Sequence, residues 1–280
     1  MRAVFALEGI FCGRLGEPMA DEKRIREADT AIGGERAAFP ATPGSAIFGV
    51  RSDDAIARAR AFSALVRAYW KPVYKRIRLK YGKSNEEAKD LTQAFFARAL
   101  EREVFETYEP EVARFRTFVR RCLDNFVMNA EEARTAKKRG GGAMPLSLHF
   151  EEAELELVRH GHLEEAPDES GFDRDFVRAL HDLSLEALRE DLRERGREKA
   201  LIAFERYDLA DDEASRPTYG ELADELGVKA SDVTNYLHAT RKRLRAIVLM
   251  NLRTITTDDA EYRSEALDLL GIDPTEASEP

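Results

Sequence analysis

Between Arg114 and Gly142 the chain reads RFRTFVRRCLDNFVMNAEEARTAKKRGGG. Eight cations (Arg114, Arg116, Arg120, Arg121, Arg134, Lys137, Lys138 and Arg139) face three acids (Asp124, Glu131 and Glu132), in a chain whose formal net charge is -9. Guanidinium and ammonium groups meet phosphates, and each contact adds salt-dependent affinity as counterions are released. Amides hydrogen-bond base edges, and aromatic faces take unstacked bases. Asn125 and Asn129 supply the amides; Phe115, Phe118 and Phe126 supply the rings. These are the residue types of a site for single-stranded or melted DNA. Taken singly, the rings are expected in a core, and the KKR run is expected to be a solvated helix end. A second motif downstream lifts the functional reading.

Thr218 precedes Glu221 by three residues, the spacing of a capping box, and opens the helix TYGELADEL. Gly227 ends it, Val228–Lys229–Ala230 turn, and SDVTNYLHATRKRLRAIVLM forms a second helix. Ala223, Leu226, Val228, Val233 and Leu237 are spaced to pack the two together. This is the layout of a helix-turn-helix, whose second helix enters the major groove. Ser231, Asp232, Thr234, Asn235 and His238 lie toward its start, where bases would be met. Arg241, Lys242, Arg243 and Arg245 follow, within reach of phosphates.

The elements that must position these residues are all helical. From about Asp53, apolar residues recur at three- and four-residue steps through Phe62, Leu65, Tyr69, Val73 and Ile77. Pro72 should kink this helix or start a new one, and Gly82 should stop it. Ser84 and Glu87 have capping-box spacing ahead of NEEAKDLTQAFFARALE. There Ala88, Leu91, Phe95 and Ala99 share one stripe, with Asp90, Gln93 and Ala97 on another. A third helix should run from about Glu111 to Lys138 and end in the glycines. Between Glu151 and Asp175 ten acids meet two bases, which reads as an acidic linker with a short helix near Glu151–Arg159. Helical periodicity resumes at Phe172, and no stretch alternates as a strand would.

The expected fold is therefore all-α: two helical domains joined by an acidic linker, the second containing the helix-turn-helix. The boundaries are a weakly ordered lead-in at 1–50, a first domain at 51–142, the linker at 143–171, the second domain at 172–253 and an extension at 254–280. The extension should contain a helix that packs on one of the domains through Tyr262, Ala266, Leu269 and Leu270, and could restrain it.

Composition narrows the function. The 280 residues are 43% hydrophobic and 35% charged, well above the roughly 25% charge of an average domain, and a soluble protein is expected. Net acidity disfavours bulk, non-specific nucleic-acid binding but leaves local patches open. Two distant cysteines, Cys12 and Cys122, make neither metal spacing nor a disulfide framework, so a cytoplasmic setting is expected. No apolar run approaches the roughly 20 residues that cross a bilayer, and no membrane partner is expected. The Gly140–Gly142 run lacks the strand and the Lys-Ser/Thr of a phosphate-binding loop. His160 and His162 lack partners at metal spacing. No catalytic residue, metal or cofactor is expected, and the chain does not read as an enzyme.

YWKPVY, EEAKDLTQAFFARALE and the Arg114–Gly142 stretch together resemble the first conserved domain of bacterial RNA polymerase sigma factors of the extracytoplasmic-function type. GFDRDFVRALHDLSLEALRE followed by TYGELADELGVKASDVTNYLHATRKRLRAIV is similar to their second, DNA-reading domain. The likeness runs from about Phe39 to Arg253 and is greatest to a group with a long linker and a C-terminal extension. It implies that Asp90, Leu91, Gln93 and Phe96 dock on the clamp helices of core RNA polymerase. It implies that Arg114 to Arg139 bind and help melt the downstream promoter element, with Arg121, Asn125, Asn129 and Arg134 near the non-template strand. The helix from Ser231 would read the upstream element, its domain would touch the polymerase flap, and the acidic linker would thread toward the RNA exit path. An anti-sigma factor is a further partner the likeness allows. Lys229 departs from the Ser or Thr common at that turn, so a cap is lost there unless Ser231 takes it over. Asp232 would repel phosphates, though it could accept a hydrogen bond from cytosine. Two alternatives remain: a helix-turn-helix regulator that binds duplex without polymerase, and a degenerate sigma-like protein that holds polymerase or an anti-sigma partner without initiating.

Overall fold

The longest apolar-periodic stretch makes the helix around which the others gather. Residues 45–136, 148–159, 169–210, 212 and 214–275 are described by the structure, a computed structural model. A short helix α1 (Ala46–Gly49) begins at Ser45, whose hydroxyl accepts from the Ile47 amide. Ile47 is buried in the core, so the last residues of the expected lead-in are structural. Helix α2 (Ala55–Lys80) starts at Asp54, whose carboxylate accepts from the Ile56 amide. Pro72 lies inside it, so no new helix starts there. Packing on Tyr69, Trp70, Val73 and Tyr74, all buried, outweighs the one backbone hydrogen bond that proline removes.

Ser84 and Glu87 form the capping box of α3 (Asn85–Glu101). A 3-10 turn at Val104–Thr107 leads to α4 (Phe115–Ala136). α4 begins later than the sequence suggests, because the Tyr108 hydroxyl donates to the Ala113 carbonyl and holds the preceding residues in a turn. Then follow α5 (Phe150–Arg159), α6 (Glu169–Glu194), α7 (Glu198–Tyr207), α8 (Tyr219–Leu226), α9 (Ala230–Thr254) and α10 (Asp259–Leu270). Among the described residues there is no strand, and no helix is long and apolar enough to cross a membrane.

The buried apolar side chains do not divide at the expected domain boundary; they form one cluster from Ala46 to Ile272. Tyr69 on α2 stacks on Phe176 of α6, with ring centroids 5.0 Å apart, and meets Phe115 of α4 edge-on at 5.6 Å. Trp70 meets Phe150 of α5 edge-on at 5.5 Å.

Charge closes the same seam. Lys71 and Lys75 lie one turn apart on α2, and Lys75 is only 2% exposed. Glu156 of α5 accepts from both, at 2.9 and 2.6 Å. On α6, Asp182 accepts from Lys71 at 2.8 Å and Asp175 from Lys75 at 3.4 Å. Glu154 of α5 accepts from the Tyr74 hydroxyl at 2.6 Å and from Arg78 Nε at 3.0 Å. The expected linker thus spends Glu154 and Glu156 inside the molecule.

Removing Glu156 leaves the buried Lys75 ammonium short of its nearest acid, whereas removing Lys75 leaves Glu156 with Lys71 and Asp175 with Arg178. Glu156→Ala should cost about 3 kcal/mol of unfolding free energy. Lys75→Met should cost less, since the desolvation penalty of the ammonium goes with it. Urea denaturation of both variants checks the order.

Candidate nucleic-acid interface

α4 carries the downstream set, and its apolar positions decide which side chains face out. Phe115, Val119, Leu123 and Val127 are buried at helical spacing. The opposite face presents Arg121, Asn125, Met128 and Asn129 as one exposed stripe. Phe115 packs edge-on against Tyr108 and Phe105, and Phe126 against Phe95, so the rings serve the core. Between α3 and α4 lies a cavity of about 190 Å³, lined by Phe95, Arg98, Ala99, Val104, Cys122, Asn125 and Phe126. Burial pushes the Cys122 thiol up to about 11, so it stays protonated at neutral pH.

A clasp sets the rotation of α4. Asp124 accepts from Arg76 Nε and Nη2, both at 2.8 Å, and from Lys80 and the Tyr81 hydroxyl, also at 2.8 Å. Burial pushes this carboxyl up, but the hydrogen bonds from Arg76, Lys80 and Tyr81 outweigh it and hold it at about 2. The clasp ties one edge of α4 to α2, and the buried row of Phe115, Val119, Leu123 and Val127 turns the opposite face, with Arg121 and Asn125, outward.

On α9 the same logic exposes Ser231, Thr234, Asn235, His238 and Lys242, while Val233, Leu237 and Leu244 are buried. Helix α8 is closed at its start by the Thr218–Glu221 capping box and at its end by Gly227, whose φ of 60° is left-handed. Lys229 precedes α9, and its amide donates to the Asp232 carboxylate at 3.0 Å. The Asp232 carboxylate, three residues on, thus takes up the amide that precedes the helix. An acid there also suits the positive end of the helix dipole.

Several cations expected at phosphates are instead held within the fold. Arg241 forms a two-pronged pair with Asp208 at 3.0 and 2.7 Å, and Arg243 with Asp191 at 3.0 and 2.5 Å. Arg116 donates to Glu265 of α10 at 2.8 Å and lies 3.4 Å from Asp173 of α6. Arg114 reaches Ser264 at 2.8 Å, Asp268 at 2.5 Å and Glu265 at 3.5 Å, all on α10. Arg120 and Arg245 are half-buried. Arg134 falls within α4, but its side chain, like Lys137, Lys138 and Arg139, lies outside the described residues.

On α3, Asp90 is exposed and Gln93 half-buried on one face, with Leu91 half-buried toward the core. Phe96 is 0% exposed and meets Phe95 at 5.1 Å. It therefore cannot touch a partner, a correction that its place one residue after Phe95 on a two-sided helix explains. Arg98 was not singled out by the sequence. Its guanidinium lies 5.9 Å from the Phe126 ring centroid, beside the α4 stripe, and its three-residue step from Phe95 was the available signal. Among the described residues no group of three His, Cys, Asp or Glu side chains is placed to hold a metal ion. Compared with known proteins, the chain matches no family model, no curated protein and no solved structure.

The clasp has a pH signature. Asp124's folded pKa lies below its unfolded value, so its stabilisation is complete above about 4 and is lost as pH falls toward 2. After allowance for solvent screening it is worth about 1–2 kcal/mol. Asp124→Asn should be less stable than the parent by that amount at pH 7. The two should converge as denaturation is followed down from pH 4 to pH 2. A gap that persists into acid would contradict the clasp.

Proposed function

We propose that the chain is an initiation factor of the extracytoplasmic-function sigma type, which gives core RNA polymerase promoter specificity and is not itself an enzyme. One observation carries the reading: Arg121, Asn125 and Asn129 share an exposed stripe beside a cavity. The second polar face, Ser231 to Lys242, adds to it. It follows a short capped helix and a left-handed glycine, the arrangement of a helix-turn-helix. In this reading Asn125 and Asn129 hydrogen-bond bases of the non-template strand as they leave the stack, and Arg121 holds the adjacent phosphate. Duplex opening is driven by capture of those bases, with no nucleotide hydrolysis. The face of α9 reads the upstream element, with Lys242 on the backbone. Asp90 and Gln93 dock on the clamp helices. A single core running through both halves favours the rival, a regulator that binds duplex as one fixed body; such a protein would bind symmetric half-sites without polymerase.

Run-off transcription with core polymerase from the same organism separates the two. Discrete new transcripts should appear with the protein and vanish with Asp90→Ala plus Gln93→Ala. Asn125→Ala plus Asn129→Ala should lower open-complex formation on duplex promoters about 10- to 100-fold, the equivalent of ~1–3 kcal/mol. A template already melted at the start site should relieve most of that loss. Failure of core to bind the protein at all would leave the regulator as the working description.

A further inference from the structure

The start of α4 is a corner built for an anion, and α10 fills it. Helix N-termini attract negative charge through free amides and the dipole. Here the first helical amide, that of Phe115, donates to Glu261 at 3.3 Å. Arg114 and Arg116 flank it, and both engage Glu265; Arg114 also engages Asp268. Glu261, Glu265 and Asp268 are spaced to lie on one face of α10, and each meets a donor at the start of α4.

We infer that α10 is an intramolecular cover, whose acids hold Arg114 and Arg116 in a closed form until a nucleic-acid backbone displaces them. The inference rests on the proposed DNA-binding role of α4. Two features make the cover releasable. Glu265 is only 4% exposed, yet its Oε1 makes no hydrogen bond and is merely 3.5 Å from Arg114 Nε, so part of its desolvation is uncompensated. Burial also pushes its carboxyl up to about 7, against the pull of Arg116 and Arg114. Glu261 is better anchored, since it also accepts from the Thr257 amide at 2.7 Å and hydroxyl at 2.6 Å. That contact gives α10 a pivot at its N-terminal end, and the face carrying Glu265 and Asp268 is the part that must lift.

The test is the affinity of the full chain for a fluorescein-labelled single-stranded oligonucleotide at physiological salt, without polymerase. Glu265→Gln plus Asp268→Asn should bind about 10-fold tighter than the parent, and adding Arg114→Gln plus Arg116→Gln should abolish the gain. Glu190→Gln plus Glu194→Gln, which changes net charge equally on exposed positions of α6, should shift affinity less than about two-fold. If the Glu265 variant folds poorly by thermal melting, Ser264→Ala plus Asp268→Asn stands in for it, at exposed or half-buried positions. Independently, hydrogen exchange across residues 259–270 of the parent should accelerate when the oligonucleotide is added. Equal affinities of folded parent and variant overturn the cover, as does a gain matched by the Glu190 and Glu194 control. So does α10 exchange that stays unchanged at saturating oligonucleotide. Transcripts from the parent with no gain in the variant would sink the cover alone; a gain with no transcripts would sink the sigma reading alone.

Discussion

Two lysines one turn apart on α2 hold the molecule in its observed form. Lys71 and Lys75 share Glu156 of α5 and reach Asp182 and Asp175 of α6. Bringing an ammonium group to 2% exposure costs several kcal/mol of hydration, so the arrangement persists only while the acids stay in place. Those acids come from elements about 80 to 110 residues away. Because the same helix turns Tyr69 and Trp70 into Phe176 and Phe150, charge and apolar packing reinforce one seam. Every surface described above is oriented by its attachment to α2, directly or through one intervening helix.

Part of the chain's acidity is consumed at such seams. The linker's Glu154 and Glu156 neutralise α2; Asp191 and Asp208 take the guanidiniums of Arg243 and Arg241; Glu265 and Asp268 take Arg116 and Arg114. Two-pronged arginine–carboxylate pairs fix direction as well as charge. The cations therefore divide into a structural set and an outward set. Arg121 is exposed because it lies opposite the buried Leu123 and Val127, and Lys242 because its neighbours Arg241 and Arg243 are tied inward. An acidic protein can in this way keep a small, well-aimed positive surface without a basic overall field.

The sequence by itself determined the helices and several of their ends. The Ser84 and Thr218 capping boxes and the left-handed Gly227 are local chemistry, set by side chains three residues apart and by one residue without a Cβ. The outward stripes of α4 and α9 were legible too, because apolar residues at three- and four-residue steps leave only one face for Arg121, Asn125 and Asn129, or for Ser231, Asn235 and His238. Only the tertiary structure decided which cations remained on those faces, that Phe96 is core, that α2 passes through Pro72, and that the two halves share one core. The reason is range. A cap or a stripe depends on neighbours within a turn or two, whereas Arg116 finds Glu265 across 149 residues of sequence. Nothing in the spacing of either helix encodes that meeting; it follows from how α10 and α4 are both brought against the core.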